Sequence, residues 1–233
     1  MVSDTSKPVT GGGTEEQVLG DFKISDDLFA FSISPAEFLT SRPQIHNLIA
    51  GTIVFRSLFA APSGPNLETL LIQRAASDSF ALKWEIPAGT ADLTADTSIA
   101  GVAVRELWEE TQLRTRKLTH SVGLGLPDDV SYLTLEGEAE DARMDPDLNI
   151  FLLRVSGLTW AIVTFIADIE DNHGAVTLRP DEHLAWAWVS EDEVKEGRFR
   201  HGTGQNLEFV SEAMRMIVLE GFRVKKEQGT AQK

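Results

Sequence analysis

Apolar residues along this chain switch between the two-residue period of strands and the wider spacing of helices. Runs rich in β-branched and aromatic residues predict strands at Leu48–Phe59, Glu68–Arg74, Ile150–Val155 and Thr159–Ile169, with shorter strands at Phe80–Ile86 and Leu118–Leu126. The turn-forming stretch Ala61–Pro65 separates the first two runs, which predicts a β-hairpin there.

Helical signals fall in four places. They are Ser34–Leu39, with Ser34 as N-cap before Pro35; Ser98–Gln112; the capping box that starts at Ser190; and Leu207–Val224. In Ser98–Gln112 the apolar residues form one stripe, which predicts a helix that packs one face on a core. We expect the last residues, Lys225–Lys233, to be frayed.

Three carboxylates of the second predicted helix share one side of it. The stretch Arg105–Glu110 reads Arg-Glu-Leu-Trp-Glu-Glu, so Glu106 lies three residues from Glu109 and four from Glu110. Like charges at that spacing repel, and each pair destabilises an isolated helix by a few tenths of a kcal/mol. A solvated acidic face is the plain interpretation. A divalent cation such as Mg²⁺, which takes carboxylate and phosphate oxygens, is the alternative.

The composition narrows the classes of partner. The formal net charge is −15, from 21 Lys and Arg against 36 Asp and Glu. Such an acidic chain disfavours nucleic acid and anionic membranes as partners, because phosphate backbones attract basic surfaces. The chain contains no cysteine, which excludes disulfides and thiol chemistry. Because Met1–Gly20 lacks a signal-peptide core and no run of about 18 apolar residues occurs, we expect a soluble, cytoplasmic protein without a membrane span.

The carboxylate helix and the stretch Trp84–Gly89 together resemble the signature of the Nudix hydrolase family, Gly-x5-Glu-x7-Arg-Glu-U-x-Glu-Glu-x-Gly-U, where U is a bulky aliphatic residue. The match runs from Gly89 to Leu113, and its Arg-Glu-U-x-Glu-Glu centre is intact. Fifteen residues, Thr90–Val104, stand where the family has thirteen. Asp96 or Thr97 falls nearest the family's first Glu, and Gln112 replaces its late Gly.

This resemblance implies an α/β (α+β) fold, an α/β/α sandwich around a mixed β-sheet. The Nudix hydrolase domain is then expected at 48–200, with an acidic insertion at 127–149. Flanking it we expect a disordered tail at 1–20, an extension with a short helix at 21–47, and a C-terminal helix and tail at 201–233. The extension would pack on the domain edge or help to form a homodimer. We interpret the insertion as a solvated segment in preference to a second metal site.

The resemblance also implies a site and a reaction, the cleavage of a diphosphate linked to another moiety. Mg²⁺, with Mn²⁺ as the alternative ion, would be held by Glu106, Glu109, Glu110 and the Ala88 carbonyl. Arg105 would orient the helix carboxylates. Glu182, six residues before Trp188, would be a general base or position a water molecule, although an exposed loop acid fits equally well.

Substrate contacts are expected from Arg74, Trp84 and Gly89, although Trp84 also suits a core position and Arg74 a solvated strand end. We interpret His183 as a surface or packing residue. The Glu-Ile-Pro-Ala-Gly turn favours small-molecule substrates of the ADP-ribose or ADP-sugar type. The alternatives are a non-nucleotide diphosphate, such as a prenyl diphosphate, and an inactive module that binds a nucleotide or a protein.

Overall fold

The structure is a computed structural model that describes residues 21–58, 66–126, 132–133, 139–145, 147–170, 175–200 and 205–231. The predicted tail at 1–20 and the predicted turn Ala61–Pro65 lie outside these residues. No helix among them is long and apolar enough to cross a membrane.

The described residues form strands and four α-helices in the order of a mixed α/β domain. The strands are β1 (Lys23–Ile24), β2 (Asn47–Leu58), β3 (Asn66–Arg74), β4 (Trp84–Glu85), β5 (Ala88–Thr90), β6 (Thr115–Ser121), β7 (Tyr132–Leu133), β8 (Ala139–Met144), β9 (Phe151–Val155), β10 (Leu158–Ile169) and β11 (His183–Ser190). The helices are α1 (Pro35–Ser41), α2 (Ile99–Thr111), α3 (Glu191–Glu196) and α4 (Glu212–Ala231), and a 3-10 helix spans Asp26–Ser32.

Strands β2 and β10 form the centre of a mixed sheet. They pair in parallel, from Trp160 with Asn47 to Ala167 with Val54. The other edge of β10 is shared by β9 and β6, both antiparallel to it. The other edge of β2 carries β5 and β3, and β3 pairs in turn with β4 and β11. The short strands β4 and β5 thus attach to β3 and β2, next to the start of the loop that leads into α2.

Helices cover both faces of this sheet. Along β10, Val163 and Phe165 pack in one core cluster, whereas Ile162 and Ile166 pack in the other, as the two-residue period of a strand requires. The first cluster contains the apolar stripe of α2, and the second contains the apolar side of α4. The fold is therefore the α/β/α sandwich around a mixed sheet that the sequence resemblance implied.

The N-terminal extension belongs to the core on the α2 side of the sheet. Ser34 caps α1 by accepting a hydrogen bond from the Glu37 N–H, as its sequence position predicted. Leu28, Phe31 and Phe38 are buried in the first core cluster, and the Phe31 ring meets the Phe165 ring edge to face at 5.1 Å. This segment therefore contributes buried apolar side chains to the core on the α2 side of the sheet.

Two of the predicted strands are shorter than their apolar runs. The strand expected at Phe80–Ile86 is wrong except for Trp84–Glu85, because Phe80 and Leu82 have φ angles of 54° and 63°, which no strand accepts. The strand expected at Leu118–Leu126 instead begins at Thr115 and ends at Ser121. The run after Ser121 continues as buried but irregular chain through Leu124.

The predictions for the insertion and the C-terminus also need correction. Within 127–149, Ala139–Met144 forms β8 and pairs with β9, so this part of the insertion extends the sheet. The closing helix begins at Glu212 rather than Leu207 and continues to Ala231. The expectation of fraying from Lys225 onward is thus wrong up to Ala231, and Lys225 itself contacts Asp168 of β10 at 3.1 Å.

Candidate active site

Local sequence fixes the position of α2 against β2. Ser98 caps the helix by accepting a hydrogen bond from the Gly101 N–H, and Ile99, Val102 and Leu107 are buried on the side that faces the sheet. At the other end Gln112 takes the left-handed conformation, with φ of 59°, and its side chain donates to the Trp108 carbonyl. Gln112 therefore ends the helix at the position where the family signature has glycine.

The turn before α2 brings the main chain close to the helix carboxylates. Strand β5 pairs with β2, with Ala88 opposite Gly51 and Gly89 opposite Ala50. A side chain at Gly89 would collide with the carboxylate of Glu106, so the carboxylate keeps this position only because residue 89 is glycine. The Ala88 N–H donates to Glu110 Oε2 at 2.9 Å. This hydrogen bond joins the turn to α2, although Ala88 and Glu110 are 22 residues apart in the sequence.

Arg105 is surrounded by carboxylates. Its Nε and Nη2 donate to the two oxygens of Asp96 at 3.0 Å each, and its Nη1 donates to Glu106 at 2.8 Å and Glu109 at 3.3 Å. Burial acts to lower the pKa of Arg105, but Asp96 and the two glutamates raise it above its ordinary value. Asp96, which lies near the position of the family's first Glu, thus forms a fork-like ion pair with Arg105. This pair holds the loop before α2 against the helix.

Glu110 has no such cationic partner. Among the described residues, no Lys or Arg forms an ion pair with it. Burial raises its pKa well above the ordinary value, the nearby Glu85 and Glu106 raise it further, and the hydrogen bond from the Ala88 N–H opposes this. Burial likewise raises the pKa of Glu106, although Arg105 works in the opposite direction. The buried carboxyls at the inner end of the row therefore favour the neutral form unless a cation stabilises their charge.

Two functional candidates near Glu110 were not expected from the sequence. Glu85 of β4 is buried and accepts a hydrogen bond from Arg74 Nη1 at 2.6 Å. His183, the first residue of β11, is buried, and its Nε2 lies 3.5 Å from Glu85 Oε1 and 3.6 Å from Glu110 Oε1. The two-residue period backward from the buried Val189 places His183 on the inward side of β11, a signal that could have identified it.

The outer end of the site carries a second arginine. Arg179 Nη1 lies 3.2 Å from Glu182 Oε1 and 3.7 Å from Glu109 Oε2, so it stands between the helix and the loop before β11. Its side chain is 46% exposed, compared with 18% for Arg105. No local sequence pattern selects Arg179, which lies seventy residues after Glu109.

These groups open into a cavity of about 1120 Å³. Its polar end is lined by Arg74, Glu85, Ala88, Gly89, Glu106, Glu110, Glu182 and His183, and its other wall is apolar, lined by Ile49, Phe151, Leu153, Trp160, Ile162, Val210 and Met214. Trp84 is not among the lining residues, because it is buried and packs its ring on Phe199 at 5.1 Å. Arg105 and Glu109 do not line the cavity either, but Arg105 joins Glu109 to the lining residue Glu106. Of the predicted site residues, Trp84 alone lies apart, in the core.

The donor set fits a hard divalent cation. Glu106 and Glu110 are buried carboxylates, and Glu109 is partly exposed beside them. Buried carboxylates that lack a basic partner are costly unless a cation or a proton neutralises them. A metal ion would offset that cost at Glu110.

A comparison with protein families agrees with this fold. A family model described as the NUDIX domain matches residues 56–208. No curated protein matches the sequence. Among solved structures, a Caenorhabditis elegans Ap4A hydrolase in a binary complex aligns with 16% identity and a TM-score of 0.48 over 78% of this chain and 99% of that chain. The Escherichia coli ORF135 protein aligns with 19% identity and a TM-score of 0.45 over 79% and 93%.

A third structure, the Nudix domain of Shewanella oneidensis NrtR complexed with ADP-ribose, aligns with 17% identity and a TM-score of 0.44 over 82% of this chain and 99% of that chain. The family assignment rests on the sequence match, which covers well over half of the chain. The chain belongs to the NUDIX domain family. Within that family it is a hydrolase of the pyrophosphatase type, which cleaves phosphorus-containing anhydrides.

Proposed function

We propose that the protein is a Mg²⁺-dependent hydrolase that cleaves the diphosphate of a nucleoside diphosphate linked to another moiety, with ADP-ribose and other ADP-sugars favoured. One observation carries this proposal. Helix α2 presents Glu106 and Glu110 to a cavity large enough for such a molecule, and no Lys or Arg among the described residues neutralises Glu110.

In this proposal Glu106, Glu109, Glu110 and the Ala88 carbonyl hold the ion. Mn²⁺ is the alternative to Mg²⁺. When bound, either ion supplies positive charge beside the phosphate oxygens, where negative charge develops as the anhydride breaks. Arg105 is a positioning residue: its contacts with Asp96, Glu106 and Glu109 hold two of the three carboxylates in place.

The remaining groups act on water and phosphate. Glu182 is 41% exposed at the cavity rim, so it is placed to accept a proton from the attacking water or to position that water. Arg179 is half exposed between Glu109 and Glu182 and is therefore available for a phosphate oxygen. Arg74 lines the cavity as well, but its guanidinium already donates to Glu85, Asp78 and the Ser79 carbonyl. Its main effect is then to hold Glu85.

The preference for ADP-sugars rests on two features. The turn Glu85–Gly89 has the sequence that favours this substrate group by resemblance. The apolar wall of the cavity also includes the half-buried Trp160, on which a base can stack. A second candidate is a prenyl diphosphate, because the same wall is otherwise built from aliphatic and phenyl side chains.

The test is product formation from ADP-ribose, ADP-glucose, NADH, diadenosine polyphosphates, nucleoside triphosphates and a prenyl diphosphate. Each substrate is supplied with Mg²⁺, with chelator, and to the Glu109→Gln variant. We expect AMP from the ADP-sugars with Mg²⁺ only, and little from the variant. Release of phosphate from the prenyl compound alone would show that the substrate is a non-nucleotide diphosphate and not an ADP-sugar. Turnover that persists in Glu109→Gln would contradict the site, and a panel without turnover would favour a binding module.

A further inference from the structure

His183 is a buried side chain without a hydrogen-bonding partner. Its side chain is 3% exposed, and neither Nδ1 nor Nε2 has a partner among the described residues. The nearest acceptors, Glu85 Oε1 and Glu110 Oε1, lie 3.5 and 3.6 Å from Nε2, which is beyond ordinary hydrogen-bond length. A buried polar atom left unpaired destabilises the fold, so the unpaired imidazole indicates that a ligand binds there.

The carboxylates around His183 differ in whether they have a cationic partner. Glu85 is already neutralised by Arg74, whose Nη1 lies 2.6 Å away. Glu110 Oε2 accepts the hydrogen bond of the Ala88 N–H, and its Oε1 faces His183. Among the described residues no Lys or Arg forms an ion pair with Glu110, although Arg74 is close enough to interact with it electrostatically. Glu182 reaches the same point from the cavity rim. The unpaired imidazole and the uncompensated carboxylate are therefore neighbours.

Glu110, Glu182 and His183 each offer one ligand atom, and these atoms lie within 4.8 Å of one another. Two ligands on opposite sides of a divalent transition-metal ion are about 4.2 Å apart, since each metal–ligand bond is about 2.1 Å long. Small movements of the three side chains would thus bring their ligand atoms to bonding distance from one ion. We propose that Glu110, Glu182 and His183 Nε2 form a mixed nitrogen–oxygen site for a divalent transition-metal ion.

A nitrogen ligand changes which ion this end of the cavity prefers. Mg²⁺ takes oxygen ligands, whereas imidazole suits transition metals. The carboxylate row of Glu106, Glu109 and Glu110 offers only oxygen, but the position at His183 offers both atom types. The site therefore selects a transition-metal ion over Mg²⁺ where both ions are present. Glu110 can serve both positions because a carboxylate has two oxygens.

This inference rests on the metal dependence proposed above, but its test does not use turnover. The probe is Mn²⁺ added to the full chain without substrate. Pulsed electron paramagnetic resonance should detect ¹⁴N coupling from the imidazole in the wild-type protein. The coupling should be lost in His183→Gln and kept in the control His120→Gln, because His120 of β6 contacts Gln228 away from the cavity.

Titration calorimetry gives the second readout. Loss even of an outer-shell partner typically weakens metal binding about 10–100-fold, so His183→Gln should bind Mn²⁺ at least about tenfold more weakly. Mg²⁺ affinity should change by less than about twofold, since Mg²⁺ does not use the nitrogen. Glu182→Gln should weaken Mn²⁺ binding and keep the ¹⁴N coupling.

The wild-type spectrum decides the proposal even if His183→Gln fails to fold. Mn²⁺ that binds without ¹⁴N coupling would overturn it, and so would coupling that survives in a folded His183→Gln protein. The two proposals fail separately. Nitrogen coupling in a protein that hydrolyses nothing on the panel would support the His183 site and contradict the proposed hydrolysis. Mg²⁺-dependent AMP release without nitrogen coupling would support the hydrolysis at the carboxylate row and contradict the His183 site.

Discussion

Two carboxylate clusters meet at α2, and they differ in how their charge is balanced. In the outer cluster Arg105 donates to Asp96, Glu106 and Glu109, so each carboxylate has a basic partner. In the inner cluster Glu110 and His183 are both buried, and among the described residues neither side chain forms an ion pair with a Lys or Arg. Each outer carboxylate therefore has an arginine partner, whereas the buried Glu110 forms no ion pair with a Lys or Arg among the described residues. Under the proposed function, the metal ion would supply the missing positive charge at this inner end.

The largest expected effect comes from Glu110→Gln. Removing this carboxylate should lower kcat by roughly 10²–10³-fold, the scale on which loss of one electrostatic group affects a transition state. Without metal the same change should stabilise the fold by about 1–3 kcal/mol, because a buried charge without a partner is removed. Thermal unfolding in chelator, with the exposed Glu227→Gln as control, measures the gain.

The pH dependence sharpens this prediction. Burial raises the pKa of Glu110, so its charge penalises the metal-free fold above that raised pKa and disappears as the pH falls through it. The stability difference between wild type and Glu110→Gln should therefore vanish below about pH 4.5, the ordinary value for this carboxyl. A variant less stable than wild type at neutral pH would show that the charge is already balanced, and the contrast between the clusters would fail.

Arg105→Lys tests the outer cluster. Lysine keeps the charge but loses the planar fork that grips Asp96, so Glu106 and Glu109 should lose their positions. We expect kcat to fall roughly 10–100-fold and the free energy of unfolding to fall by about 1–2 kcal/mol. Steady-state kinetics and denaturant unfolding check both values. The matched change Arg223→Lys, in an exposed pair with Glu220 and Glu227, should alter stability by less than about 0.5 kcal/mol.

Gly89→Ala probes the junction of the turn and the helix. The added methyl group would overlap the Glu106 carboxylate, so that carboxylate must move. We expect about tenfold lower kcat and a loss of about 1–2 kcal/mol in stability. Gly229→Ala is the control with opposite sign: nothing lies within 4 Å of its added methyl, and alanine in a helix should gain about 0.5–1 kcal/mol. Equal effects at the two glycines would contradict the close approach at Gly89.

The smallest effect is expected at the helix ends. Gln112→Gly removes the strain of a non-glycine residue in the left-handed conformation, but it also removes the hydrogen bond from the Gln112 side chain to the Trp108 carbonyl. The net effect should be to stabilise the protein by a few tenths of a kcal/mol. Gly197, which ends α3 with φ of 63°, offers the reverse change. Gly197→Ala should destabilise by about 1 kcal/mol. Thermal unfolding measures both, and loss of hydrolysis in Gln112→Gly would assign Gln112 a role beyond ending the helix.

Local sequence was sufficient wherever neighbours in the chain decide the structure. Spacing of three and four residues placed Glu106, Glu109 and Glu110 on one side of a helix, and the caps Ser34 and Ser190 were readable from their following residues. Strand boundaries were less accurate at Phe80–Ile86. That run has the composition of a strand, but the positive φ angles at Phe80 and Leu82 take it out of the sheet.

The sequence by itself therefore determined the family, the carboxylate row and most elements, because these depend on contacts within a few residues. Only the tertiary structure decided the charge balance of the site. It placed Glu85 of β4 and His183 of β11 beside Glu110 of α2, and it added Asp96 to the glutamates that pair with Arg105. Sequence spacing carries no information on such pairs, because their proximity is set by the register of the sheet and the packing of a helix upon it.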